Sequence, residues 1–182
     1  DIWKKCEATA GNNSIAAIGA VLAERSLDWD VVMKGYARHN FFKKYKDCSK
    51  FKDIWPSISP SGDHNAYGVE ETTPARIVYE LGSDYVVFKK PANLSKENGG
   101  ELFIKFKPKD NAPFKAALML AKGKKVDVID FPTDSQDDNG FYEYMTEGFL
   151  KLDQVVLLAQ IRNTTGTDDS EYHFSYAAAC PM

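Results

Sequence analysis

The chain has 182 residues, a net charge of −3, 43% hydrophobic residues, and 11 Phe, 9 Tyr and 3 Trp. This apolar content is enough for a folded core and excludes a disordered chain, and the net charge excludes a general nucleic-acid binder. No run approaches the ~20 apolar residues of a membrane-spanning helix.

The termini and cysteines favour export. The chain begins at Asp1 with no initiator Met or signal peptide, so we expect a mature product or a fragment of a longer protein. Cys6 and Cys48 both fall in the helical part, where a disulfide would join its first and last segments; Cys180 would be left over, and free thiols are the alternative. Asn-x-Ser/Thr sequons occur at Asn12, Asn93 and Asn163. We therefore predict a secreted or cell-surface protein.

Helical spacing dominates the start of the chain and predicts a small helical subdomain over 1–54. Ile2, Trp3 and Cys6 predict a first helical turn over residues 2–6. A second helix begins with Asn13 or Ser14 as its cap and runs to about Glu24. A third helix covers about 29–42, with Asp28 as its cap.

Proline and glycine mark a linker over 55–73, and the period then changes to two over 74–182. Strands with short turns between them and no helices indicate an antiparallel β-sandwich. The fold class is thus α+β, a helical subdomain followed by a sandwich of about eight strands. The predicted strands are 77–81, 84–89, 101–106, 114–121, 126–129, 141–145, 153–161 and 172–178.

The sequence contains no complete catalytic motif. His39, His64 and His173 are isolated, and neither His-Glu-x-x-His nor Gly-x-Ser-x-Gly occurs. We expect this chain to have no enzymatic activity by itself, although fold alone does not exclude a site assembled from distant residues.

An acidic turn before the sixth predicted strand is the best metal candidate. Asp134, Asp137 and Asp138 supply the hard oxygen ligands that Ca²⁺ prefers, although the spacing is not that of an EF-hand. The alternative is an acidic hairpin loop without a metal. Calcium is the one cofactor that the sequence suggests.

Tyr142 and Tyr144 follow this turn directly. An exposed aromatic pair beside polar loops would suit sugar binding, because ring faces stack on the apolar faces of sugars. Aromatic residues at this spacing are also common in the core of a sandwich. Both interpretations stay open at this point.

Four pieces near the start resemble a known protein family: Asp1-Ile2-Trp3-Lys4, Gly11-Asn12-Asn13-Ser14-Ile15-Ala16-Ala17-Ile18, Leu22-Ala23-Glu24-Arg25 and Asn40-Phe41-Phe42. Their order and spacing resemble the end of the catalytic region in large secreted bacterial zinc metalloproteases, in which a β-sandwich domain follows. The resemblance implies that the zinc-binding helix lies upstream of Asp1, so no metal ligand or catalytic glutamate carries over to this chain.

Two functions from different classes follow from these observations. The first is a non-catalytic C-terminal region of an exported, metalloprotease-like bacterial protein, which serves stability, attachment or substrate contact beside an upstream catalytic domain of the same polypeptide. The alternative is a stand-alone extracellular module for carbohydrate binding or calcium-dependent adhesion. The expected partner is a protein or carbohydrate at the cell surface, and neither nucleic acid nor a membrane span is expected.

Overall fold

The computed structural model describes residues 8, 14–43, 60, 62–64, 71–72, 76–78, 82–91, 100–109, 114–134, 136–161 and 170–179. The chain divides into two compact units, one with the described helices and one with the strands. The predicted α+β class, with helices followed by a mostly antiparallel β-sandwich, is confirmed. The limits at 54 and 73 stay a prediction.

The helical unit contains α1, Ser14–Glu24, and α2, Trp29–Phe42. The side chain of Asp28 accepts a hydrogen bond from the backbone N of Val31 at 3.0 Å, which satisfies a donor in the first turn of α2. Lys43 ends α2 in the left-handed conformation. Both predicted helices and the Asp28 cap are thus confirmed, whereas the turn predicted over 2–6 lies outside the described residues.

No helix among the described residues is long and apolar enough to cross a membrane.

The strands in the described part of the chain are β1 Gly62–His64, β2 Glu71–Thr72, β3 Arg76–Val78, β4 Ser83–Lys89, β5 Glu101–Pro108, β6 Phe114–Lys122, β7 Lys125–Asp130, β8 Tyr142–Glu147, β9 Gln154–Ile161 and β10 Ser170–Ala179. They form two five-stranded sheets. The first sheet has the order β1-β4-β9-β6-β7, and the second has β2-β10-β5-β8 with β3 also paired to β10. All described pairs are antiparallel except β1 with β4.

The core lies between the two sheets. Alternate residues of each strand face inward, so Leu102, Ile104 and Phe106 of β5 meet Leu118 of β6 and Leu157 of β9 in one buried cluster. These five side chains are exposed by 2% or less. Strand β5 therefore shows the period of two that the sequence predicts, with Leu102, Ile104 and Phe106 on the inner face and Glu101 and Lys105 on the outer one.

Strand β9 is buried on both faces, since every residue from Val155 to Ile161 is exposed by 1% or less. The continuous apolar run predicts such a central strand, and the sheet order places β9 between β4 and β6. A 3₁₀ helix, Phe149–Lys151, precedes it.

Two short strands lie within the segment that the sequence predicts as a linker. β1 joins the edge of the first sheet beside β4, and β2 pairs with β10 in the second. The two strands have three and two residues, which is too short for a period of two to be recognised in the sequence. The nearby Pro and Gly residues therefore predicted a linker instead.

Candidate functional site, a groove on the outer face of the second sheet

The outer face of the second sheet carries two exposed apolar side chains side by side. Phe103 of β5 and Met145 of β8 are cross-strand partners, and they are exposed by 38% and 41%. Ala177 of β10 pairs with Phe103 from the other side. The alternation of each strand requires these residues to point away from the core, because Leu102, Ile104 and Thr146 are buried on the opposite face.

The adjacent row of the sheet is polar. Lys105 of β5 pairs with Glu143 of β8 on one side and with Ser175 of β10 on the other. Together the two rows line a groove of 380 Å³. We call it the outer groove and define it by Phe103, Lys105, Glu143, Met145, Ser175 and Ala177.

Lys105 lies between two carboxylates at one end of the outer groove. Its Nζ lies 2.8 Å from Glu143 Oε1 and 3.3 Å from Asp137 Oδ2. The side chain of Lys105 is only 27% exposed, so its ammonium group is held in place rather than extended into solvent. The outer groove therefore has an apolar row bordered by a fixed set of charges of both signs.

Asp137 organises the acidic turn beside the outer groove. Its Oδ1 accepts hydrogen bonds from the backbone N–H groups of Asn139 and Phe141, both at 2.9 Å. These bonds, the one from Phe141 foremost, together with Lys105, hold the pKa of Asp137 below its ordinary value of 3.8, against the opposing effect of burial. Lys107 of β5 adds a contact from its Nζ to the Asn139 carbonyl oxygen at 2.7 Å.

The three predicted calcium ligands differ in their surroundings. Asp137 directs both carboxylate oxygens to donors of this chain, whereas Asp134 and Asp138 are exposed. Among the described residues, no group of three or more His, Cys, Asp or Glu is arranged to hold a metal ion. Calcium binding at this turn stays a prediction.

Tyr142 and Tyr144 lie on the inner side of β8. Both are partly buried and pack against the core between the sheets, and the ring of Tyr144 lies 6.1 Å from that of Phe131. The register pairs them with Phe106 and Ile104, which are core residues. Tyr144 also contributes to the lining of the outer groove, whose exposed aromatic ring belongs to Phe103. The predicted role of the two tyrosines in ligand binding stays a prediction.

Sequence reasoning missed Phe103 and Met145. The available signal was an apolar residue on the polar face of each alternating strand, with Phe103 between Glu101 and Lys105 and Met145 between Glu143 and Glu147. The cysteines of the predicted disulfide, Cys6 and Cys48, lie outside the described residues.

No family model matches the chain, and no curated protein matches it in sequence. Solved structures similar to it include a mitogen from Yersinia pseudotuberculosis, with 14% identity, a TM-score of 0.39, and coverage of 59% of this chain and 84% of that one. A second is the pre-peptidase C-terminal domain of a collagenase from Bacillus anthracis, with 9% identity, a TM-score of 0.40, and coverage of 66% and 99%.

A third similar structure belongs to carbohydrate-binding modules of the β-sandwich superfamily, with 10% identity, a TM-score of 0.29, and coverage of 68% and 63%. The similar structures thus include a domain of a bacterial protease and a carbohydrate-binding module. Because these three TM-scores are below 0.5, the likenesses carry no argument about function. The functional proposal therefore rests on the geometry of the chain itself.

Proposed function

We propose that this chain is a non-catalytic accessory region of an exported, metalloprotease-like protein, and that it binds polypeptide in the outer groove. The observation that carries the proposal is the exposed pair of Phe103 and Met145 on a sheet face that also carries charged side chains. When a partner covers two large apolar side chains, their removal from water lowers the free energy of the complex.

The chemistry of the outer groove favours polypeptide as the ligand. Protein interfaces combine an apolar centre, enriched in aromatic residues and Met, with a polar rim. Phe103 and Met145 supply the centre, and Lys105 with Glu143 supplies a rim that offers both a donor and an acceptor. The flexible thioether of Met145 can adapt to side chains of different shape, which suits contact with varied polypeptide substrates.

The proposal is tested by the affinity of the purified chain for an immobilised unfolded polypeptide, reduced and carboxymethylated lactalbumin. Phe103→Glu and Met145→Lys each place a charge in the apolar row. We expect each substitution to raise the dissociation constant by about tenfold or more. The matched control is Ile77→Lys, since Ile77 is also apolar, 53% exposed and outside the groove lining.

An equal loss of affinity in Ile77→Lys, or unchanged affinity in both groove variants, would contradict the proposal. Cleavage of the polypeptide by the purified chain would contradict its non-catalytic part.

Carbohydrate binding or calcium-dependent adhesion is the second candidate function. The exposed ring of Phe103 is the feature that favours a sugar, because it can stack on an apolar sugar face. Binding to a glycan array that is lost in Phe103→Glu, with no affinity for lactalbumin, would support this candidate. A rise in Tm with millimolar Ca²⁺ that is lost in Asp134→Asn would support the adhesion form.

A further inference from the structure

Strand β8 forms one edge of the second sheet. In the described part of the chain it pairs with β5 on one side and with no strand on the other. Successive residues of an antiparallel strand direct their backbone N–H and C=O groups to opposite sides, so half of the six residues of β8 direct both groups away from β5. These groups have no hydrogen-bond partner among the described residues, so they are available to another strand.

The other strands at the sheet edges are less suited to receive a partner. Strands β1, β2 and β3 have three residues or fewer. Strand β7 is as long as β8, but Lys125 and Asp127 on one of its faces neutralise each other in an ion pair at 2.7 Å. Only β8 among these strands adjoins the exposed apolar pair of Phe103 and Met145.

The outer side chains of β8 alternate between acidic and apolar, since Glu143, Met145 and Glu147 are all exposed. Glu143 is matched by Lys105, whose Nζ lies 2.8 Å away. Glu147 instead has Glu101 as its cross-strand partner, and neither carboxylate forms an ion pair with any residue that the structure describes. Because like charges on opposite residues destabilise a sheet, a cation beside Glu147 would relieve a repulsion that exists in the free chain.

A second copy of this chain fits the edge poorly. If two β8 strands paired antiparallel with their Met145 side chains opposite each other, Glu143 of each copy would lie opposite Glu147 of the other. This arrangement would place acidic side chains against acidic side chains at two positions, which opposes pairing of the edges. The charges of β8 therefore favour a partner with basic residues.

We propose, resting on the polypeptide binding proposed above, that the ligand is an extended polypeptide that pairs with β8 as an added strand. Its backbone hydrogen bonds to the open edge provide affinity, and its alternate side chains provide specificity. A basic residue lies opposite Glu147 and an apolar residue opposite Met145, so the two are separated by one residue in the ligand. The apolar side chain extends the row of Phe103 and Met145, which makes the edge continuous with the outer groove.

The test compares short dye-labelled peptides by fluorescence anisotropy with the whole purified chain at low ionic strength. The peptide Thr-Lys-Thr-Leu-Thr-Lys-Thr-amide has a Lys two positions from Leu on both sides, so it fits either strand direction. We expect it to bind about tenfold or more tightly than the same peptide with Glu in place of Lys, because repulsion replaces attraction. Salt at about 1 M should reduce this difference, because it screens exposed charges.

The variant Glu147→Gln tests the charge that selects the ligand. We expect it to reduce the preference for the Lys peptide over the Glu peptide by about threefold or more. Its Tm should be no lower than that of the wild type, because the substitution removes the repulsion from Glu101. The matched control is Asp127→Asn, which removes a carboxylate that is 54% exposed on the other long edge strand and should leave the preference unchanged.

Backbone methylation separates strand addition from contact through side chains alone. In an added strand, the N–H groups of alternate residues point toward β8 and those of the remaining residues point to solvent. One peptide therefore carries N-methyl groups on Lys and Leu, and another carries them on the two Thr residues between these. We expect one methylated peptide to lose binding and the other to retain it. Equal affinity of the two would contradict strand addition.

The outcomes distinguish this inference from the proposed function. If lactalbumin binding depends on Phe103 and Met145 but the Lys and Glu peptides bind equally, the outer groove binds polypeptide and the edge proposal is overturned. If lactalbumin does not bind, the proposed function itself fails. A dimer of the free chain in sedimentation that Met145→Lys disrupts would assign the edge to a second copy and overturn the proposal.

Discussion

The outer faces of the two sheets differ sharply in exposure. On the first sheet, Val87, Met119, Val156 and Leu158 point away from the core between the sheets, yet each is exposed by 2% or less. On the second sheet, the outer face carries Phe103 and Met145 at about 40% exposure, beside charged residues. The first sheet is therefore buried on both faces, whereas the second has an exposed outer face that a partner can cover.

The largest expected effect is on stability and falls on the first sheet. We expect Leu158→Ala to lower the free energy of unfolding by about 2–5 kcal/mol, because it removes buried methyl groups and leaves a cavity. Met145→Ala on the second sheet should change it by no more than about 0.5 kcal/mol. Urea unfolding of both variants measures the difference, and equal losses would show that the outer face of the second sheet is also structural.

The sequence could predict this difference in part. The run from Val155 to Ile161 has no polar face, which indicates a strand buried on both sides, whereas Glu101–Pro108 alternates and indicates one exposed face. Periodicity also placed the seven longer strands, β4 to β10. Periodicity did not decide which of the two alternating sets on β8 faces inward, because each set contains a large side chain, Tyr142 and Tyr144 in one and Met145 in the other. The register with Ile104 and Phe106 identifies the tyrosines as the inward set.

Other features depend on contacts that are distant in sequence. The pairing of Phe103 with Met145 joins residues 42 positions apart, and Lys105 reaches Asp137 across a gap of 32. The sequence therefore predicted the scaffold better than it predicted the outer groove.

We expect an intermediate loss of stability when alanine replaces one of two glycines. One lies before a strand of the second sheet, and the other lies between two strands of the first. Gly100, before β5, has a φ of +66°, and an added Cβ would lie 2.5 Å from Cγ of the buried Leu150. Gly123, between β6 and β7, has a φ of +59° with open space around it.

We expect Gly123→Ala to cost about 1 kcal/mol for its backbone conformation alone, and Gly100→Ala to cost about 1–3 kcal/mol more for the steric overlap. Urea unfolding of the two variants compares them directly. Equal costs would show that Leu150 moves aside and that the turn before β5 is loosely packed.

The smallest expected effect is a change in Tm and comes from the acidic turn beside the outer groove. Because the pKa of Asp137 lies below its ordinary value of 3.8, its ionised form stabilises the fold above pH 3.8. This stabilisation is lost as the pH falls below 3.8 through the lowered pKa of the folded state. We therefore expect Asp137→Asn to have a slightly lower Tm than the wild type at pH 6, with the difference shrinking below pH 3.8.

The matched control for this comparison is Asp138→Asn, which removes the same charge from an exposed neighbour in the same turn. A difference in Tm that persists unchanged to pH 2.5, or that Asp138→Asn reproduces, would show that the hydrogen bonds of the Asp137 carboxylate do not order the turn.

Methionine oxidation tests the proposed binding face most directly, because the two sheets each carry a methionine on the outer side. Met145 of the second sheet is 41% exposed and Met119 of the first is fully buried. Dilute hydrogen peroxide should therefore convert Met145 to its sulfoxide much faster than Met119. The oxidation of both residues is followed by mass spectrometry with and without saturating carboxymethylated lactalbumin. We predict that bound polypeptide slows the oxidation of Met145 and leaves the oxidation rate of Met119 unchanged. An unchanged oxidation rate of Met145 in the bound chain would contradict the proposed binding face.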